Sequence, residues 1–176
     1  IGFIFFGFAL NTEIGIAGAL LFILTHGLAK AGLFLGAGIV EQNSKVKDIT
    51  KLGGLIKTMP ITAVTFFICA CSVMGIPPLG GFFSKYMVFR GALDSSHLGI
   101  ALIFLMGAIL TILYLFRVFN MVFLGEMKTP VSQEGSRVML FSVILFALLS
   151  LVTGILIYYP SKVVETITQQ IMKVIS

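Results

Sequence analysis

The chain has 176 residues; 58% are hydrophobic and only 11% are charged. That balance excludes an ordinary soluble domain. The formal net charge of +5 does not mark a nucleic-acid binder, because half of the basic residues sit in loops between apolar runs, as membrane topology demands.

Several apolar runs reach the ~20 residues that cross ~30 Å of hydrocarbon. The fold class expected is therefore all-α, a polytopic transmembrane helical bundle of about five spans. Residues 1–10 read as the end of a first span, and Asn11-Thr12-Glu13 as a short turn. Ile1 opens directly in an apolar run, with no basic stretch before it. A signal peptide is not expected, and the chain reads as a fragment or as a subunit that continues from other material. Residues 14–40 form a second span. The polar loop 41–60 carries Lys45, Lys47, Lys51 and Lys57 against Glu41 and Asp48.

Residues 61–93 are apolar on both sides of Gly75-Ile76-Pro77-Pro78-Leu79-Gly80-Gly81-Phe82-Phe83-Ser84-Lys85. Pro77 and Pro78 bring no N–H groups and push the preceding residue out of the helical region. With Gly80 and Gly81 they predict a spanning helix that breaks in mid-membrane. Backbone carbonyls freed there need a partner, so the break is expected to face protein or a watery cavity. Asp94-Ser95-Ser96-His97 is a tight connection, residues 98–124 are a fourth span, 125–137 a polar loop and 138–159 the last span. In residues 160–176 the apolar positions 163, 164, 167, 171, 174 and 175 suit an amphipathic helix on the membrane surface or docked on a neighbour. The organisation expected is thus a transmembrane domain over 1–159 and a tail over 160–176. The loops 41–60 and 125–137 hold six of the twelve Lys and Arg and the loops 11–13 and 94–97 hold none, which places the basic loops in the cytoplasm and the C-terminus outside.

Few side chains within the spans are able to do chemistry. His26 and Lys30 are four residues apart, so they share a helix face near the middle of the second span. A lysine at the bilayer centre costs ~2.5–3.5 kcal/mol, so Lys30 is expected to face protein or water. Two readings stand for it: a structural lysine bonded to carbonyls of a neighbouring helix, or, with His26, a proton relay. Lys85, about two turns past the prolines, is either a snorkelling lysine or a member of that relay. Ser84 beside it offers a hydroxyl to a water chain. Arg90 and Arg117 lie near span ends and read as interfacial anchors. Cys69 and Cys71, two apart, point to different faces and read as small apolar filler. There is no P-loop, GxSxG, HExxH or CxxC motif, and no cofactor or metal is expected in this chain.

Four motifs carry a family resemblance. THGLAKAGLFLGAG at 25–38, KLGGLIKTMPIT at 51–62, GIPPLGGFFSK at 75–85 and YLFRVFNMVFLGE at 114–126 resemble the antiporter-like subunits of respiratory complex I. That family includes the large subunits of Mrp-type sodium/proton antiporters and the membrane arms of energy-converting hydrogenases. The match covers most of the chain and corresponds to the C-terminal third of such a subunit. The resemblance implies two inverted five-helix repeats in the whole subunit, of which residues 1–124 supply most of the second. It also implies that Lys30, with His26 one turn earlier, is the central proton-carrying site, and that Lys85 is the site nearest the outward exit. The first repeat is not in this sequence.

The function expected is proton or sodium translocation by a non-redox membrane subunit, with other membrane subunits as partners, including whatever supplies the first repeat, and with any redox chemistry in those partners. A purely structural scaffold and an independent secondary transporter for a small solute are the alternatives.

Overall fold

The computed structural model describes residues 1–95, 98–131 and 133–175. Seven α-helices run in the order α1 (Gly2–Ala9), α2 (Glu13–Ser44), α3 (Pro60–Met74), α4 (Gly80–Asp94), α5 (Leu98–Phe123), α6 (Arg137–Ile155) and α7 (Tyr158–Ile175), with no strand among the described residues. Three of them, α2, α5 and α6, are long and apolar enough to cross a membrane singly. The two 15-residue helices α3 and α4 are the halves of the interrupted span.

The 32-residue α2 is the pillar of the bundle; α1, α3, α4, α6 and α7 all pack on it. Its start is set by Thr12, whose Oγ1 accepts from the Gly15 N–H at 3.2 Å, and its end by Lys45 in a left-handed conformation at φ 58°. It therefore runs four residues beyond the expected 14–40 segment, because nothing before Lys45 interrupts the helical hydrogen bonds. Small residues let α4 approach closely. A Cβ on Gly18 would lie 2.8 Å from the Val88 nitrogen, and one on Gly91 would lie 2.8 Å from the Gly15 Cα.

The break occurs where the prolines place it. Gly75 closes α3 at φ 85°, its N–H donating to the carbonyls of Cys71 and Ser72, and Ile76 N–H also reaches Cys71. The chain passes Pro77–Pro78 and resumes helix at Gly80. A Cβ on Gly81 would overlap the Ser72 carbonyl, and one on Gly154 of α6 would overlap that of Pro78. The linker is thus clamped between α3 and α6. Leu79, Gly80 and Gly81 are buried, but Pro77 and Pro78 are exposed on this chain's surface. The physical reason is that proline has no N–H to satisfy, so its ring can face outward while the polar backbone turns in.

On α6, Val143, Ala147, Ser150 and Gly154 form the buried stripe at helical spacing. The expected last span, 138–159, is divided: α6 stops at Ile155, and α7 turns away to lay Val164 on Ala17 and Leu21 of α2. Thr168 is fully buried on the same side, whereas Val163 and Ile167 stay exposed. Cys69 and Cys71 are both buried and unbridged. Of the Asp94–His97 connection, Ser96 and His97 lie outside the described residues.

The two ends of the bundle are built differently. At one end, the segments 45–59 and 124–136 are stitched together: Gly54 N–H donates to the Leu124 carbonyl, Lys128 Nζ to that of Thr50 and Thr129 Oγ1 to that of Lys51, each at 2.9 Å. Asp48 caps the short turn Ile49–Lys51, and bonds from the hydroxyl and N–H of Thr50 hold its carboxyl below the usual carboxylate range. At the other end, Glu13, Asp94 and Glu165 line a cavity of about 410 Å³.

The glycine clamp is testable. Gly81→Ala, which must push α4 off the Ser72 carbonyl, is expected to cost about 1–3 kcal/mol. Gly38→Ala, whose Cβ would meet nothing within 4 Å, should be neutral or stabilising by up to about 1 kcal/mol. Thermal unfolding of the two variants in one detergent measures the contrast.

Candidate functional site

Lys85 sits on the second turn of α4, and its side chain folds back across the break. Its Nζ donates to the Met74 carbonyl at 3.1 Å. That carbonyl lies in the last turn of α3, where no helical N–H remains to take it. Lys85 is only 7% exposed, and its amine rests on backbone instead of reaching the surface of this chain. Its nitrogen also lies 5.2 Å from the centre of the Phe3 ring of α1, within cation–π range.

His26 and Lys30 project from one face of α2, as their spacing requires, and they line the same cavity as Lys85. Its volume is about 540 Å³, and its other walls include Phe3, Phe22, Phe34, Thr111 and Tyr114. Lys30 is half-buried. It does not bond a neighbouring carbonyl among the described residues; its nitrogen lies 5.7 Å from the Phe34 ring centre instead. The His26 ring lies 5.0 Å from that of Phe22, tilted by 46°. Its Nδ1 is buried without a protein partner among the described residues. A buried ring nitrogen needs a hydrogen bond, and the cavity has room for water to supply it. Amines and an imidazole from two spanning elements thus meet one space large enough for several waters.

Ser84 is placed differently from the other three. It does not line this cavity; its hydroxyl is fully buried at the α2–α4 contact, 3.1 Å from Thr25 Oγ1 and 3.2 Å from the carbonyls of both Gly80 and Gly81. Thr25 Oγ1 also reaches the Leu21 carbonyl at 3.1 Å. Each hydroxyl has one proton, so two arrangements satisfy the pair. Either Thr25 donates to Ser84 and Ser84 to its own helix, or Ser84 donates to Thr25 and Thr25 to Leu21. In both the pair ties together the turns that carry His26 and Lys85. Sequence reasoning passed over Thr25, because nothing in its spacing reveals a partner 59 positions away. It also passed over Thr111 and Tyr114. These two are three residues apart on α5 and so share a face, a signal present in the sequence that an otherwise apolar span obscures. Arg90 lies 3.9 Å from Asp94, one turn on, and Arg117 is exposed. Neither lines the cavity, as suits anchors.

A helix interrupted in mid-course, with ionisable groups gathered on a cavity at the interruption, defines a class of membrane protein in which irregular backbone is tolerated because it faces protein or water. Within that class the chain belongs to the NADH:quinone oxidoreductase/Mrp antiporter transmembrane family, whose family model matches residues 1–111. It is 32% identical over 174 residues, 98% of its length, to a Na(+)/H(+) antiporter subunit of Bacillus subtilis. It is 37% identical over 147 residues, 80% of its length, to an NADH-quinone oxidoreductase subunit of Mycobacterium tuberculosis. The chain spans 35% and 23% of those two relatives. Its fold is similar to chains of respiratory complex I from Thermus thermophilus (TM-score 0.90, 23% identity, 99% of this chain and 37% of that one) and of the Mrp complex from Dietzia sp. (0.88, 24%, 95% and 40%).

The Thr25–Ser84 tether carries its own prediction. Thr25→Val keeps the shape and removes the hydroxyl, and is expected to lower stability by about 1–2 kcal/mol, while Thr25→Ser should keep most of it. Unfolding of both variants in detergent checks the order.

Proposed function

We propose that this chain is an ion-translocating membrane subunit of a complex I-like or Mrp-like assembly, and that His26, Lys30 and Lys85 hand protons through the cavity they share. The observation that carries the reading is their convergence, from α2 and α4, on one cavity beside the helix break. Each amine or imidazole takes up a proton when its neighbour is neutral and releases it when a neighbouring positive charge arrives. Exclusion from lipid and access to water are both required, since a charged amine is costly in hydrocarbon and inert without a donor or acceptor. Ser84 serves the relay indirectly, through its bond to Thr25. Partner membrane subunits supply the remainder of the assembly, and electron transfer, where the assembly has any, belongs to them. The coupled ion is a proton, a sodium ion or both.

The sidedness we propose puts the basic loops 41–60 and 125–137 in the cytoplasm and α7 outside. It is supported by the Lys and Arg of those loops, Lys45, Lys47, Lys51, Lys57, Lys128 and Arg137, against none in residues 11–13 and 94–97.

In the complete assembly in sealed vesicles, Lys30→Ala and Lys85→Ala are each expected to reduce ion translocation by about tenfold or more, with Lys51→Ala as a near-normal control. Normal translocation in both would falsify the reading. For sidedness, a single cysteine at Lys51 should react with an impermeant thiol reagent only from the cytoplasmic face, and one at Glu165 only from the opposite face. The reverse pattern overturns the orientation.

A further inference from the structure

Glu134 belongs to none of the four sequence motifs and lies far from the cavity in sequence, yet the structure sets it on the broken helix. The start of α3 has no local cap: Met59, the residue before it, offers no side-chain bond, and Pro60 has no N–H. The Thr62 N–H donates instead to Glu134 Oε1 at 2.6 Å, from the segment that joins α5 to α6. Gly135, at φ 110°, turns the chain immediately after it. Glu134 is half-buried, and that segment is held down by the buried Val131 and by the three bonds that stitch it to residues 50–54. At its other end the same 15-residue helix presents the Met74 carbonyl to Lys85. The half-helix α3 therefore lies between a carboxylate at its positive end and an ammonium at its negative end, the favourable sense for its dipole at both.

We propose that Glu134 is a positioning residue for Lys85. It acts through α3, fixing the axial place of that half-helix and with it the carbonyl on which Lys85 rests. The proposal rests on the reading of Lys85 as an ion carrier. Its effect is mechanical and electrostatic, and Glu134 itself carries no ion.

The test uses Glu134→Ala, Glu134→Gln and Glu134→Asp in the complete assembly. Two readouts are needed: amide hydrogen exchange over 62–66, and ion translocation in vesicles as a function of pH. Glu134→Ala is expected to speed exchange in that turn and to slow translocation by about tenfold, with the pH profile displaced by about half a unit or more. Glu134→Gln keeps an oxygen for Thr62 and should recover to within about threefold. The shorter Glu134→Asp should fall between them. Should Glu134→Ala fail to assemble, the Gln and Asp variants still make the comparison. Faster exchange with wild-type rate and pH profile would mean a cap with no bearing on Lys85 and would overturn the proposal, as would unchanged exchange. Loss of transport in Lys85→Ala beside normal transport in Glu134→Ala defeats this inference alone; normal transport in both Lys30→Ala and Lys85→Ala defeats the reading beneath it.

Discussion

The bond from Lys85 to the Met74 carbonyl joins two requirements of a chain inside hydrocarbon. A helix that stops in mid-membrane strands its last carbonyls, and an amine held at the same depth needs acceptors. Each answers the other, at 3.1 Å, within one interrupted span. The surrounding sequence is shaped by that arrangement. A Cβ on Gly75 would stand 3.0 Å from the Lys85 Cδ, so the lysine stem lies directly over the glycine. Gly81 admits the Ser72 carbonyl and Gly154 admits that of Pro78. The break is irregular in dihedral angles but tightly held by its neighbours.

The two lysines of the cavity are held in different ways. Lys85 is locked to backbone and almost excluded from the surface, whereas Lys30 is half-buried and has an aromatic face in place of a carbonyl. In the relay proposed above, the first is an amine whose position the fold sets and the second an amine that faces open cavity volume. The hydroxyl pair Thr25–Ser84 bridges the turns next to His26 and Lys85 and so ties the two helices together.

α5 is attached more loosely than the other long helices. Ile103, Met106, Leu110 and Leu113 face outward, while Phe104 and Phe119 reach the core. Its outer face suits lipid or another subunit. Its contribution to the cavity is confined to Thr111 and Tyr114. α7, by contrast, is drawn onto α2 through Val164, because a helix with one apolar face lowers its free energy wherever it finds a complementary stripe.

What the sequence alone determined were the features whose physics is local along the chain. Apolar length dictates spans, paired prolines dictate where a helix must stop, and a four-residue spacing dictates that His26 and Lys30 share a face. The tertiary structure decided whatever depends on separation across the bundle. It showed that Lys85 turns back to Met74, that Ser84 meets Thr25 rather than the cavity, that the prolines face outward, and that Glu134 caps a helix 72 positions away. A hydrogen bond between distant residues leaves no periodic trace in a sequence, since its geometry is set by the packing of whole helices and not by the residues that form it.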